Sequence, residues 1–305
     1  MLAEIVAVIE TIVMAAIRLL PILFILGAIF AVLSHFWACN PGRPWWRKRE
    51  LGTDLCYWFI IPLLARYFRI GLLLLGAAWL FGLDTTHDLI AFLGGGHGPL
   101  AQWPLWAQAA VFLMASDFML YWIHRAFHHP ALWPYHAVHH SSEELDWISA
   151  ARSHPINVFL GSVLTDVVLL LAGVSPAILI VLGPFQIAHS AFTHANLNWT
   201  LGSFKYVIAG PVFHRWHHSA AGRGGGRNFA AVFPVLDLMF GTFHMPKNKL
   251  PESYGIADPV PPSFIGQLAY PFRAGSAVAV LHPPEPRTNA GAFAVDSPIS
   301  RHLGP

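Results

Sequence analysis

Leu19 to Trp37 is an almost unbroken apolar run of nineteen residues. As an α-helix it rises about 28 Å, close to the ~30 Å hydrocarbon layer of a bilayer. Further apolar zones follow. Leu55 to Leu83 is interrupted by Arg66 and Arg69, and Trp106 to Trp122 returns. Asn157–Ala172 and Pro176–Ala191 flank Gly173-Val174-Ser175-Pro176, which reads as a helical hairpin with its turn. Charged residues make up 11% of the chain against about a quarter in soluble domains, and the mean hydropathy is +0.51. A disordered chain is excluded, and the composition argues against a water-soluble globule. The expectation is an all-α, multi-pass integral membrane protein with four to five crossing helices, the hairpin included.

Basic residues orient it. No Lys or Arg precedes Arg18, so a secretory n-region is lacking and the first run is expected to persist as an anchor. Arg43, Arg47, Lys48 and Arg49 form a loop that belongs in the cytoplasm, while residues 84–104 carry no Lys or Arg. Reading 55–83 as one crossing, with Arg66 and Arg69 snorkelling to the headgroups, puts residues 124–155 and 194–250 on the cytoplasmic face. A double crossing would set the basic loop and those segments on opposite faces. The organisation expected is an anchor and basic loop over 1–54, a membrane-embedded catalytic unit over 55–272, and a loose Pro/Ala/Gly-rich tail over 273–305. A net charge of +2 leaves no footprint for nucleic acid. Cys39 and Cys56 give neither a disulfide framework nor a CxxC pair. Gly94–Gly96 and Gly224–Gly226 lack the Lys of a phosphate loop, and Arg223 and Arg227 read as a solvated basic loop.

The chain has 18 His, as many as Lys and Arg together. They gather as His124-x3-His128, His136-x2-His139-His140 and His214-x2-His217-His218. Offsets of three and four turn a helix by about 300° and 400°, so each cluster projects from one face. His129, some ~140° round from His124, is a poorer companion than His128. Pro130 and Pro134 are expected to break the helix between the first two clusters. Eight convergent imidazoles exceed what one ion uses, so two metals such as Fe or Zn are the economical reading, at a cap on the cytoplasmic side. A neutral imidazole ligand needs its other nitrogen held, and Asp117 and Asp237 are candidates to accept those N–H groups; Asp237 equally suits a helix cap. A non-catalytic membrane metal- or haem-binding protein is the alternative to an enzyme.

Asp117-x3-Tyr121-Trp122-x-His124-Arg125, His136-Ala137-Val138-His139-His140-Ser141-Ser142 and Pro211-x2-His214-Arg215-Trp216-His217-His218-Ser219 resemble the fatty acid hydroxylase superfamily, the sterol desaturase and alkylglycerol monooxygenase group. The resemblance runs from about Arg43 to Phe272 and includes Asn228-Phe229 and Asp237-x3-Gly241-Thr242. It implies two non-haem irons at the cytoplasmic face of a membrane, with bacterial inner membrane the expected setting. It implies O2 as co-substrate and two electrons from an external donor: a cytochrome b5, ferredoxin or NAD(P)H-reductase type of partner, or a pterin. The substrate implied is a fatty-acyl, alkyl or sterol-like lipid, with hydroxylation, desaturation and ether cleavage all open to the same site. Residues 254–272 look most like the alkylglycerol monooxygenase branch. The family also places a histidine after the hairpin, and His194 matches it; by the same likeness His189 and His154 are further metal candidates. Asn228, Asp117 and Asp237 would support the ligands.

Overall fold

The computed structural model describes residues 2–220 and 226–273. The tail beyond Arg273, Arg223 and most of the second glycine run lie outside the described residues. Within them the chain is helical, with no strand beyond a lone bridge between Ser219 and Tyr254.

Four helices are long and apolar enough to cross a membrane: α1 (Leu2–Trp37), α2 (Leu51–Phe81), α4 (Leu105–Phe127) and α8 (Pro176–His194). Phe24, Trp79, Met114 and Ile180 stand two-thirds exposed or more along them. A soluble bundle would turn such side chains inward; here they form a lipid-facing surface. A shorter fifth arm spans Pro155–Leu171 and consists of α6 (Pro155–Val158), a π-turn (Phe159–Val163) and α7 (Leu164–Leu171). α7 and α8 are the two sides of the expected hairpin. Gly173 turns it at φ 106°, and a Cβ there would collide with the His97 carbonyl oxygen. The short helices α3 (Thr86–Gly95), α5 (Trp133–His140), α9 (Pro211–His217), α10 (Val235–Met239) and α11 (Phe264–Arg273) fill the two ends.

The expected crossing at 55–83 is a single unbroken helix, so a double crossing has no turn to use. The boundary expected at 54/55 falls inside its first turn. Lys48 donates to Ser142 Oγ at 2.9 Å and the Arg49 amide to Glu144 Oε2 at 3.0 Å. The basic loop and the histidine-bearing segments therefore share one end of the bundle. Two local expectations change. Arg66 is exposed, but Arg69 is ion-paired with Asp166 of α7 at 2.7 Å, because a carboxylate buried in an apolar layer holds the nearest cation. Pro134 sits in the first turn of α5 rather than between helices, a position that needs no amide hydrogen.

The cap is fastened to α1 and α2 twice. The Trp147 ring, fully buried, packs on Phe30, Trp45 and Trp58 with centroids 5.1–5.9 Å apart. Beside it, Asp54 accepts from Lys48 Nζ at 2.7 Å and from Arg152 Nε at 2.7 Å, while Arg152 Nη1 pairs with Glu50 at 2.5 Å. Burial holds the Lys48 ammonium below the usual lysine range, while for Arg152 the Asp54 and Glu50 charges outweigh desolvation and raise it. Removing one partner from such a set leaves buried charge uncompensated, at roughly 3–5 kcal/mol. Asp54→Asn is therefore expected to lower the thermal midpoint of the detergent-solubilised protein by several degrees; an unchanged midpoint would show that the network holds nothing together.

Candidate metal centre

α4 ends at the cap with His124 in its last turn and His128 at its C-cap. α5 is a two-turn helix bearing His136, His139 and His140. α9 bears His214 and His217, with His218 at its C-cap, and His194 is the last residue of α8. These nine side chains meet in two groups. His124, His128, His136, His140 and His217 form one; His139, His194, His214 and His218 form the other. Within each group the ligand-competent atoms lie within 4.8 Å of one another. His129 is exposed and outside both groups.

Each HxxHH triplet is split between the groups. The residues at i and i+4, His136 with His140 and His214 with His218, go to one group, and the residue at i+3, His139 or His217, goes to the other. Adjacent helical residues point about 100° apart. The shared face expected from the spacing is real but broad enough to serve two centres, and the two triplets are used in opposite senses.

Backbone oxygens orient the rings. The Nδ1 of His124 donates to Phe229 O at 2.8 Å, that of His139 to Arg152 O at 2.8 Å, that of His217 to Arg227 O at 2.6 Å and that of His194 to Ser190 O at 2.8 Å. His136 Nδ1 meets Asn157 Oδ1 at 2.7 Å. A carbonyl oxygen only accepts, so Nδ1 carries the proton and Nε2 keeps its lone pair. Those Nε2 atoms face one another: His124–His136 at 3.0 Å, His136–His140, His194–His214 and His214–His218 at 3.1 Å, and His139–His194 at 3.4 Å. His217 Nε2 is buried without a hydrogen-bond partner among the described residues. Lone pairs at that spacing repel unless a cation stands among them. Imidazole nitrogens about 2.1 Å from a common metal are ~3 Å from their neighbours, so the donor set fits a metal at each group. It leaves no room for a porphyrin between ligands, which removes the haem alternative.

Asp117, Asp237 and Asn228 support the site differently from the expectation. None touches an imidazole. Asp117 accepts the amides of Ala231, Val232 and Phe233 at 2.7–2.9 Å, and Asp237 those of Phe229 and Ala230 at 2.8 and 2.9 Å plus Thr242 Oγ1 at 2.6 Å. Asp237 lies inside α10, whose N-cap is Pro234, so it is no helix cap. Asn228, at φ 58°, bonds Phe213 O and the His244 backbone. A buried loop must satisfy its own amides first, and these side chains are consumed by that task. They hold the loop whose Phe229 carbonyl orients His124. His154 and His189 are likewise outside both groups. His154 caps α6 through the Ile156 amide and contacts Leu268 O, while His189 stacks on Phe185 and reaches Ala231 O at 3.2 Å. The sequence reading missed Asn157 and the Arg152 carbonyl. His154, singled out by likeness, lies in the right turn, but the group that supports a ligand there is the main chain of Arg152, two residues earlier.

A cavity of about 330 Å³ leads to the imidazoles from among α4, α6, the π-turn and α8. Leu120, Ile123, Phe127 and Val158 line it together with Ser162, Gln186 and Ser190, and His124, His136, His139, His194 and His214 close its inner end.

Burial depresses the cap histidines: His136, His140, His214, His217 and His218 lie well below 6.5, and His139 is pushed down to about 4. At neutral pH all six are uncharged with lone pairs free for metal. The unfolded chain titrates its histidines near 6.5, so between pH 6.5 and 4 it binds more protons than the fold does. Stability contributed by these rings is complete above pH 6.5 and lost as pH falls, on the order of 3 kcal/mol from His139 alone. The metal-free protein is expected to hold its thermal midpoint from pH 8 to 7 and lose it steadily from pH 6.5 to 4. A flat profile down to pH 4 would mean that the rings are not buried neutral.

Residues 109–242 match the family model described as fatty acid hydroxylase. The ornithine lipid hydroxylase OlsE of Rhizobium tropici is 33% identical over 172 residues, 56% of this chain and 52% of that protein. Human alkylglycerol monooxygenase is 28% identical over 156 residues, 51% of this chain and 34% of its own length. A very-long-chain aldehyde decarbonylase of Oryza sativa, GL1-11, is 27% identical over 148 residues, 47% of this chain and 55% of its own length. The chain thus spans about a third to a half of the length of these relatives. No solved structure matches it. All nine converging histidines fall within the segment that matches the fatty acid hydroxylase family model.

Proposed function

We propose that the protein is an O2-dependent membrane lipid hydroxylase that holds two iron ions, one in the five-histidine group and one in the four-histidine group. The observation that carries this is the convergence of nine imidazoles, six of them held neutral by burial, at the inner end of a cavity that opens among membrane-crossing helices. Iron bound there supplies the activation of O2 that unactivated C–H bonds require. The overall change balances as RH + O2 + 2 electrons + 2 protons giving ROH and water, with the electrons from an external donor at the cytoplasmic face.

The chain's own residues then have defined tasks. The nine imidazoles leave three of about twelve coordination positions for oxygen ligands, and a catalytic metal needs such open positions. The Nδ1–H bonds to main-chain oxygens fix ring planes before metal arrives. Leu120, Ile123, Phe127 and Val158 suit an acyl or alkyl chain, and Ser162, Gln186 and Ser190 suit a polar segment of the same lipid. The named activities of the relatives, on ornithine lipid and alkylglycerol, support a lipid with a substantial polar part. The catalytic unit would be residues 55–272, in a bacterial inner membrane.

His194→Gln is expected to lower bound iron from about two per chain towards one. Turnover should fall at least ~100-fold, since loss of a ligand exceeds the 10–100-fold typical of groups that merely support one. His129→Ala is expected to leave both near wild type. Normal iron and product in the His194 variant would sink its assignment as a ligand.

The orientation is tested by tags. Those at the N-terminus and at Gly95 are expected to react only from the non-cytoplasmic side, and one at Gly42 only from the cytoplasm, because basic residues crowd 43–49 and are absent from 84–104. A cytoplasmic Gly95 would reverse the assigned face.

A further inference from the structure

Arg215 lies between His214 and His217 in the third histidine cluster and is only 1% exposed. Its Nη1 donates to the carbonyls of Leu145 at 2.9 Å, His194 at 3.1 Å and Ala195 at 3.3 Å. Its Nη2 donates to Asn40 Oδ1 at 2.9 Å and its Nε to Tyr254 Oη at 2.9 Å, and the guanidinium also stands 4.4 Å from the centre of the Tyr254 ring. The His194 carbonyl closes α8, where no further helical turn exists to take it, and that of Ala195 also accepts the Leu197 amide at 2.8 Å. One side chain therefore ties the end of α8, which carries His194, to α9, which carries His214 and His218. Three of the four imidazoles of the four-histidine group hang on it.

Every acceptor on this guanidinium is neutral. Among the described residues no carboxylate lies within 4.0 Å of it, whereas the buried Lys48 and Arg152 are paired with Asp54 and Glu50. Asp146 is the acid that interacts with this charge, from beyond contact distance, while its carboxylate accepts from the Trp147 amide at 2.6 Å. A desolvated cation without a carboxylate in contact is costly. Its charge stands beside one histidine group only.

We infer that Arg215 is a positioning residue that makes the two groups unequal. Its fork fixes His194 against His214 and His218, and its charge, with no carboxylate in contact, biases the four-histidine group towards the less positive oxidation state of whatever metal it holds. The two effects have opposite signs for binding a cation: the fork favours it by preorganisation, and the charge opposes it. This rests on the metal reading above and goes beyond it, since that reading treats the groups alike.

The test is a titration of the full-length, metal-free protein in detergent with Co(II), whose visible absorption reports each imidazole site. His217→Ala, which disrupts the five-histidine group, identifies the absorption of the other. Wild type is expected to take up two equivalents. Arg215→Lys keeps the charge and loses the fork, and is expected to weaken only the four-histidine equivalent, tenfold or more. Asn40→Asp keeps the fork and supplies the missing negative charge, and is expected to tighten that same equivalent several-fold. It forfeits the donation from Asn40 Nδ2 to Pro251 O, a loss of stability distinct from the cobalt readout. Tyr254→Phe removes one of the guanidinium's acceptors, together with the hydroxyl's own donation to Asn40 Oδ1 and Pro251 O, and serves if Arg215→Lys does not fold, with a smaller weakening expected at the same equivalent. A purely structural role would weaken both equivalents together, in step with the thermal midpoint. That result, or wild-type titration by the lysine variant, overturns the inference. Wild-type protein that takes up no cobalt overturns the metal reading itself, and this inference with it.

Discussion

The hydrogen bond from an imidazole Nδ1 to a main-chain oxygen is the interaction on which the rest of this structure depends. Four rings, His124, His139, His194 and His217, make it, and His136 makes its side-chain equivalent with Asn157. Each bond assigns the proton to one nitrogen and turns the lone pair of the other inward. Burying imidazoles with converging lone pairs is unfavourable without a cation, so the scaffold must hold them there against their own repulsion. Their acceptors come from five separate places in the chain, at 152, 157, 190, 227 and 229, and no short motif could supply them all.

Those acceptors are themselves held. Arg152 offers its carbonyl to His139 while its guanidinium is locked to Asp54 and Glu50 at the start of α2. Phe229 offers its carbonyl to His124 while Asp237 and Asp117 take the amides on either side of the loop. Charged residues in a membrane protein are scarce because each one costs, and here several are spent on fixing backbone one step behind a ring. The π-turn at Phe159–Val163 belongs to the same economy. It adds a residue to the arm that lines the cavity and widens the helix where Gly161 faces the space before the imidazoles.

Much of this was legible in the sequence, for identifiable reasons. Crossing helices announce themselves because lipid imposes length and apolarity on Leu19–Trp37 and its successors. The histidines announce themselves because chelation by two turns of helix forces spacings of three and four. His129 could be set aside from its angle alone. The division of each triplet between two groups could not be read, since it depends on how α5 and α9 approach each other in space. The role of Asp117 and Asp237 was misjudged for a physical reason: composition shows a carboxylate in an apolar segment but not which amides the nearby loop leaves unpaired. Arg69 was misplaced at the headgroups because its partner, Asp166, is distant in sequence.

The chemistry of the ligand shell follows from where the carboxylates went. A di-metal site built on carboxylates neutralises much of its own charge, and this one does not. Asp117 and Asp237 are close enough to brace the loop beneath His124, yet both give their oxygens to backbone amides and a hydroxyl rather than to a ring nitrogen. On the proposed reading, metals bound by imidazole nitrogens in a low-dielectric cap would keep nearly their full positive charge, which favours electron uptake and anionic oxygen ligands. The same field repels a cationic lipid headgroup and tolerates an alkyl chain. The cavity matches that field: much of its wall is aliphatic and aromatic, and its other polar side chains include the uncharged hydroxyls and amides of Ser116, Ser153, Asn157, Ser162, Gln186 and Ser190. On the proposed reading, an alkyl chain would reach the imidazoles through a passage in which, among the described residues and Asp117 apart, no lining side chain is an acid, a lysine or an arginine, and that aspartate already accepts three amides.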